Sequence, residues 1–101
     1  MDKAKIAVFC VGGAANYKAH SLQMTSKAYQ LAKEKDAEVI FCYIGSNDPD
    51  YFEQVSQCGA DKIEFYQNDG EPGIRSHIMC EWGEFLLKKY DFKIALFMAE
   101  E

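Results

Sequence analysis

The sequence contains only one arginine, Arg75, and its acidic residues outnumber its basic residues by 16 to 11, for a formal net charge of −5. Proteins that bind nucleic acids need clustered Lys and Arg to displace counterions from phosphates. The lysines here are spread along the sequence, and two pairs of them fall where helices are expected to end, which suits the helix dipole. Direct nucleic-acid binding is therefore not expected.

Long apolar segments are also missing. The longest runs, such as residues 94–99, are far shorter than the roughly 20 residues of a membrane-spanning helix, so no membrane insertion is expected. The N-terminus does not resemble a signal peptide, because Gly12, Gly13 and the polar stretch after them make no cleavage site. The 101 residues, 49% of them hydrophobic, correspond to a single globular domain.

The cysteines and histidines show no metal-ligand spacing. The sequence contains no C-x-x-C pair among Cys10, Cys42, Cys58 and Cys80. The two histidines are far apart and have no ligand-spaced companions, so no metal site is predicted. Free thiols are typical of a reducing compartment, and we expect a cytoplasmic protein.

Four strand-like segments alternate with three helical patterns. The strands are predicted at 4–11, 38–44, 62–66 and 93–98, and the helices at 21–35, 49–58 and 74–89. Ser21 is the expected N-cap of the first helix, Asp48 caps the second before Pro49, and Gly59 ends the second. The third helix is expected to bury an apolar face formed by Ile74, Ile78, Trp82, Phe85 and Leu86.

This alternation predicts an α/β fold with an open parallel sheet and right-handed crossovers. The segment at 62–66 alternates between apolar and polar residues, which is typical of an edge strand. The strand order is then 3-2-1-4, with a topological switch point between strands one and four. Ligands of such sheets bind at the carboxyl ends of the strands, so residues 12–20 form the segment of interest.

The loop after strand one has two interpretations. Gly12 and Gly13 would let backbone N–H groups approach an anion, and Asn16, with Lys18, would line a small polar pocket there. The loop lacks both common glycine-rich phosphate-binding spacings. A helix beginning at Ser21 would also place its dipole too far from Gly12. A small nucleotide-binding domain and a simple strand-ending turn both remain open.

Cys10 offers a second chemical interpretation. Small sugar-phosphotransfer IIB domains are similar in length and carry a phosphorylated cysteine at the end of strand one. Their loop is rich in Ser and Thr, whereas residues 11–17 contain neither. The alternative is a buried structural cysteine. Beyond this thiol, the sequence shows no catalytic set.

The order of the segments, and above all Gly59-Ala60-Asp61-Lys62 before the third strand, resembles the N-terminal domain of the electron transfer flavoprotein alpha subunit. The resemblance implies an adenine-nucleotide-hydrolase-like, Rossmann-like domain spanning 1–101 and incomplete at its C-terminal end. It implies a non-catalytic platform that contacts a beta-type flavoprotein subunit and serves a dehydrogenase. FAD would belong to the complete complex, because the family's FAD-contacting segments are missing from this sequence.

Strand four raises the question of what covers it. We expect Ile94–Met98 to be an inner strand, yet no helix follows it in the sequence. An open apolar strand exposes both hydrophobic area and a pairable edge. Self-association through strand four, giving a homo-oligomer, is therefore predicted.

Overall fold

The central sheet explains the position of every other element. The computed structural model describes residues 3–13, 16–70 and 72–97. Its elements are β1 (Ala4–Val11), α1 (Tyr17–Lys35), β2 (Ala37–Gly45), α2 (Pro49–Gln57), β3 (Lys62–Gln67), α3 (Pro72–Lys89) and β4 (Phe92–Phe97). The four strands pair in parallel in the order β3-β2-β1-β4. The predicted strand order is confirmed.

β1 and β2 lie at the centre of the sheet because their residues are apolar on both faces. Residues 6–10 of β1 and 39–45 of β2 are buried. Neighbouring residues of a strand point to opposite faces, so an unbroken apolar run suits a strand covered on both sides. The register pairs Ile6 with Val39 and Cys10 with Tyr43.

Helices cover both faces of the sheet, which makes three layers. One hydrophobic cluster joins the sheet to α1 and α2, and a second joins the opposite face to α3. The first includes Ile6, Val8, Ala28 and Val55, and the second includes Ala7, Phe9, Met79 and Leu86. Within the described part of the chain, no helix is both long and apolar enough to cross a membrane.

The two edge strands differ from each other and, in one case, from expectation. β3 is an edge strand, as predicted. β4 was expected to be an inner strand, but in the described residues it pairs with β1 alone and forms the other edge. It is only partly covered, and Phe97 is 61% exposed. Self-association through this strand stays a prediction.

The buried face of α3 is rotated from the predicted face. Leu86 is fully buried, but Ile74 and Phe85 are more than half exposed. Trp82 is half-buried and meets Tyr66 of β3 edge to face, with ring centroids 5.6 Å apart. Arg75 and Met79, which were not part of the predicted face, are buried together with Leu86. Of the predicted face, Ile78, Trp82 and Leu86 pack against the core as expected, whereas Ile74 and Phe85 do not.

Both predicted ends of α2 and the predicted end of α1 at Lys35 are confirmed, but the predicted start of α1 is not. The Asp48 side chain accepts a hydrogen bond from the Tyr51 amide at 3.2 Å, and Pro49 is the first helical residue. Gly59 ends the helix with a φ of 119°. The N-cap predicted at Ser21 is wrong, because α1 begins four residues earlier, at Tyr17.

Candidate functional site

The loops at the carboxyl end of the sheet are joined to one another by hydrogen bonds. The Gly12 amide donates to the Ile44 carbonyl at 2.8 Å, which ties the end of β1 to β2. The Asn68 amide donates to the Gly45 carbonyl at 2.9 Å and ties β3 to the same point. These bonds hold three strand ends in a fixed arrangement around Gly12.

Gly12 and Gly45 are required here by close packing against Tyr43. A Cβ atom on Gly12 would lie 2.6 Å from the Tyr43 hydroxyl oxygen, and one on Gly45 would lie 2.5 Å from it. Neither distance is compatible with a side chain unless Tyr43, which is buried, moves. The Tyr43 ring therefore supports two stretches of backbone that carry no side chains.

The N-terminus of α1 lies next to this glycine turn. Gly13 has a φ of 98°, and Asn16 precedes the helix in a left-handed conformation with a φ of 57°. The Asn16 side chain makes no capping hydrogen bond, and the first turn of α1 contains no acidic residue. The first N–H groups of a helix have no partner within the helix, and they carry the positive end of its dipole. This end of α1 is therefore uncapped by side chains.

The earlier start of α1 corrects the predicted spacing. A helix beginning at Ser21 would have left its dipole out of reach of Gly12, but the observed helix begins five residues after Gly12. Nothing in the local sequence marks this start, since Asn16 does not act as a side-chain cap. The predicted residues Gly12, Gly13 and Asn16 thus lie together at one turn, with residues 14 and 15 outside the described part.

Arg75 is the functional residue that sequence reasoning missed. It comes from the first turns of α3, and its Nη1 donates to the Gly12 carbonyl at 2.8 Å. The residue is 8% exposed, and its Nε has no hydrogen-bond partner among the described residues. No carboxylate in the described part of the chain forms a salt bridge with it. The one feature of the sequence that could have drawn attention to Arg75 is that it is the only arginine.

Two tyrosine hydroxyls lie under the turn. The hydroxyl oxygens of Tyr17 and Tyr43 are 3.4 Å apart. Burial raises the pKa of Tyr43 well above its ordinary value, and this outweighs the opposite effect of the positive charge of Arg75. Tyr43 therefore stays protonated and keeps a proton to donate.

Lys18 lies in the first turn of α1 but is already paired. Its Nζ donates to Asp48 Oδ2 at 2.7 Å, which links the start of α1 to the start of α2. The hydrogen bond with Asp48 raises the pKa of Lys18, and the same bond lowers the pKa of Asp48. Lys18 was expected to line the pocket. It lies at this end of the sheet, but its ammonium group is bonded to Asp48.

Cys10 lies beneath the site and does not have the properties of a nucleophile. The residue is fully buried, and its Sγ lies 3.6 Å from the Tyr51 hydroxyl, which also contacts the Ser21 hydroxyl. Burial raises the pKa of the Cys10 thiol to about 11, although these hydrogen bonds act in the opposite direction. Reactive cysteines are exposed thiolates with lowered pKa values, so the phosphotransfer interpretation is not supported.

The described ranges contain no set of side chains suited to binding a metal ion. They contain no group of three or more His, Cys, Asp or Glu side chains that could hold a metal ion. The chemistry of the carboxyl end is instead that of backbone N–H groups, one guanidinium and two hydroxyls. All of these donate hydrogen bonds, and donors are what an anion requires.

Together these features define a three-layer, Rossmann-like α/β domain with a topological switch point between β1 and β4. No protein-family model matches the sequence, and no curated protein matches it significantly. Among solved structures, protein Rv1636 from Mycobacterium tuberculosis H37Rv is 15% identical, with a TM-score of 0.48 over 96% of this chain and 71% of that chain. A universal stress protein in complex with cAMP is also 15% identical, with a TM-score of 0.43 over 97% of this chain and 98% of that chain.

These results overturn the predicted membership of the electron transfer flavoprotein family. Neither Rv1636 nor the universal stress protein is an electron transfer flavoprotein. The predicted role as a platform for a beta-type subunit and a dehydrogenase is therefore wrong. The expectation of FAD in a larger complex rested on the same family resemblance and is no longer supported.

The motif that suggested that family has a purely structural explanation. Gly59 supplies the positive φ that ends α2, and the Ala60 amide bonds back to the Val55 carbonyl. The Asp61 amide donates to the Val39 carbonyl at 2.9 Å, and Asp61 Oδ2 accepts from the Val39 amide at 2.8 Å. Any α/β protein that joins a helix to a parallel edge strand can use this turn, so it does not identify a family.

Proposed function

We propose that this domain binds a small phosphorylated ligand of the nucleotide class at the carboxyl end of β1. The phosphate would occupy the turn formed by Gly12, Gly13 and Asn16, in front of the N-terminus of α1. The observation that carries the proposal is Arg75, a buried guanidinium bonded to the Gly12 carbonyl without a carboxylate partner in the described residues.

The energetic argument concerns the charge of Arg75. Burying an unpaired charge is costly, and a partner group offsets that cost. The Gly12 carbonyl accepts one of the guanidinium hydrogen bonds but carries no formal charge. An anion bound on the turn would supply the missing negative charge in the place where this cation is held.

The second argument concerns the end of α1. Helix N-termini attract phosphates through their free N–H groups and through the dipole. In this protein no acidic side chain and no side-chain cap compete for that position. Gly13 and Asn16, on either side of residues 14 and 15, both have a positive φ, which glycine and asparagine tolerate better than other residues.

The nucleotide class is favoured over free phosphate by an aromatic ring on the neighbouring strand. Phe97 ends β4, which pairs directly with β1. The residue is 61% exposed, and one face of its ring stacks on Phe9 at a centroid distance of 4.7 Å. Exposed aromatic rings at ligand sites stack on flat heterocycles. A base on Phe97 and a phosphate at Gly13 would span the switch point between the two strands.

Calorimetric titration with ATP, AMP and cAMP tests the proposal. Arg75→Gln should weaken binding at least about tenfold, because a charge-assisted interaction with the anion is lost. Lys27→Gln makes the same change in net charge at an exposed position of α1 and should leave the affinity unchanged. Equal affinity in both variants, or no binding of any of the three nucleotides to the wild type, would overturn the proposal.

Asn16→Asp separates binding from folding. A carboxylate at this position favours the dipole of α1 and should raise the melting temperature slightly, whereas it repels a bound phosphate and should weaken binding about tenfold or more. Loss of both stability and binding would mean that the variant damages the fold. Retention of full affinity would contradict an anion site at this turn.

Glu71 provides a further check, because its carboxylate lies four residues before Arg75 in the sequence and outside the described residues. Removing the sole partner of a buried charge typically costs about 3–5 kcal/mol. If a ligand is the counterion, Glu71→Gln should leave the melting temperature of the free protein nearly unchanged. A large decrease would assign the counterion to Glu71 and would contradict the proposal.

A further inference from the structure

Lysines that are far apart in the sequence line one cleft at the amino end of the sheet. It has a volume of about 480 Å³ and lies between the start of β1 and the connection from α3 to β4. Its charged lining consists of Lys3, Lys5, Lys89, Lys93 and Asp91. We call this the lysine cleft. The lining therefore contains four lysines and one aspartate.

The fold corrects the view that the lysines are dispersed. Parallel strands all begin at one end of the sheet, and the crossover helices end there. Eight of the ten lysines of the sequence lie at the first residues of strands or the last turns of helices: Lys3, Lys5, Lys33, Lys35, Lys62, Lys88, Lys89 and Lys93. Half of them line this one cleft.

The positive charges of the cleft are weakly compensated. Lys5 and Lys93 form no salt bridge with any described carboxylate, and Lys5 Nζ donates to the Lys3 carbonyl at 3.2 Å instead. Lys3 lies 3.8 Å from Asp36, whose side chain is 89% exposed, so this pair is loose. Lys89 alone has a close partner, Glu64, at 3.0 Å.

The helix dipole explains only part of this arrangement. Lys88 and Lys89 occupy the last turn of α3, where cations interact favourably with the helix C-terminus. Lys3, Lys5 and Lys93 lie instead at the starts of the adjacent strands β1 and β4, where the pairing shifts its register between Lys5 and Ile6. None of these three lysines lies in the last turn of a helix, and Lys5 pairs in register with Phe92 of β4 and Glu38 of β2, so the helix dipole does not account for their position.

We propose that the lysine cleft binds a small multivalent anion of the phosphate class. Several lysines that converge on one concave surface attract a multivalent anion more strongly than a monovalent one, because each added charge meets another cation. The cleft lies at the opposite end of the strands from the Gly12 turn, so this site is separate from the proposed nucleotide site and does not depend on it.

The test compares two double variants with the same change in charge. Inorganic tripolyphosphate is titrated calorimetrically at low salt into the full chain, with ¹⁵N NMR shifts to locate the site. Lys5→Gln with Lys93→Gln should weaken binding about tenfold, since each exposed ion pair contributes modestly. Lys27→Gln with Lys33→Gln alters two lysines of α1 that do not line the cleft and should change the affinity less than twofold.

Three results would overturn the proposal. The first is equal weakening by both double variants, which would show attraction to overall charge alone. The second is equal affinity for tripolyphosphate and for sulfate at the same ionic strength. The third is a set of shifted amides around Gly13 and α1, with loss of binding in Arg75→Gln, which would place the anion at the other end of the sheet.

Discussion

The two ends of the parallel sheet differ in the number and burial of their positive charges. The carboxyl end has one buried cation, Arg75, held against the Gly12 carbonyl. The amino end has many exposed lysines around open clefts. A buried charge at a fixed position is screened little by salt, whereas exposed lysines are screened strongly. The carboxyl end thus holds its cation in a fixed position, whereas the amino end gathers several exposed cations.

The glycines at the two ends of the sheet also have different structural roles. At the carboxyl end, Gly12 and Gly45 are set by the ring of Tyr43, so the bare backbone there is part of the site itself. At the amino end, Gly59 serves the turn between α2 and β3 and contacts Tyr29. Substitutions at the two ends should therefore separate stability from ligand binding.

The largest expected effect is that of Gly59→Ala at the amino end. An alanine there would be strained by the φ of 119°, and its Cβ would lie 2.4 Å from Tyr29 Cγ. We expect a loss of about 3 kcal/mol, measured by urea unfolding, with nucleotide affinity unchanged in the folded protein. Adding Tyr29→Ala should restore the part due to the clash. Unchanged stability of the single variant would contradict the described turn.

The next effect concerns pH and the buried thiol below the carboxyl end. The pKa of Cys10 is raised to about 11 in the folded protein, against an ordinary value of 9.0. Above pH 9 the unfolded chain therefore loses this proton while the folded protein keeps it, so stability falls as pH rises. Between pH 9 and 11 the thiol should account for a loss of about 2 kcal/mol.

Urea unfolding at pH 8, 9, 10 and 11 measures this loss. Cys10→Val should make the decrease less steep, because valine carries no ionisable group, whereas buried Cys42, whose pKa is raised to about 12, still contributes in both proteins. Cys80→Ser, at an exposed position, should keep the wild-type profile and serves as the control. If Cys10→Val and the wild type lose stability in parallel, the buried thiol is not responsible.

A smaller effect is expected for Asp61→Ala, again at the amino end. The variant loses the hydrogen bond from the Val39 amide to Asp61 Oδ2 and should be less stable by about 1–2 kcal/mol. Asp61→Asn can still accept that bond and should retain most of the stability. A similar loss in both variants would show that the negative charge, and not the hydrogen bond, is what matters.

The smallest effect is expected between the two ends, at Gly83→Ala in α3. A Cβ here would lie 3.9 Å from Phe9 Cε1, which is ordinary contact. Alanine should therefore gain about 0.5–1 kcal/mol through helix propensity and raise the melting temperature by a few degrees. A lower melting temperature would mean that a neighbour approaches more closely than described.

The predictions made from sequence succeeded where the signal was local. The apolar runs of β1 and β2 predicted central strands, and the alternation at 62–66 predicted an edge. Asp48 before Pro49 and the glycine at 59 marked both ends of α2. The start of α1 was missed because Asn16 adopts a left-handed conformation without capping, which leaves no signature in residue types. The face of α3 was predicted only in part, because Ile74 and Phe85 are exposed although they are apolar and share the helical spacing of buried Leu86.

By itself the sequence determined the number, kind and order of the elements and, through right-handed crossovers, the strand order, because periodicity and chain connectivity dictate these. Only the tertiary structure decided which charged groups meet. Arg75 contacts Gly12 across 63 residues of sequence, and the lysines of the cleft come from both ends of the chain. The physical reason is that a parallel sheet gathers every strand start at one end and every strand end at the other. Residues that share a site here are therefore separated by whole crossovers.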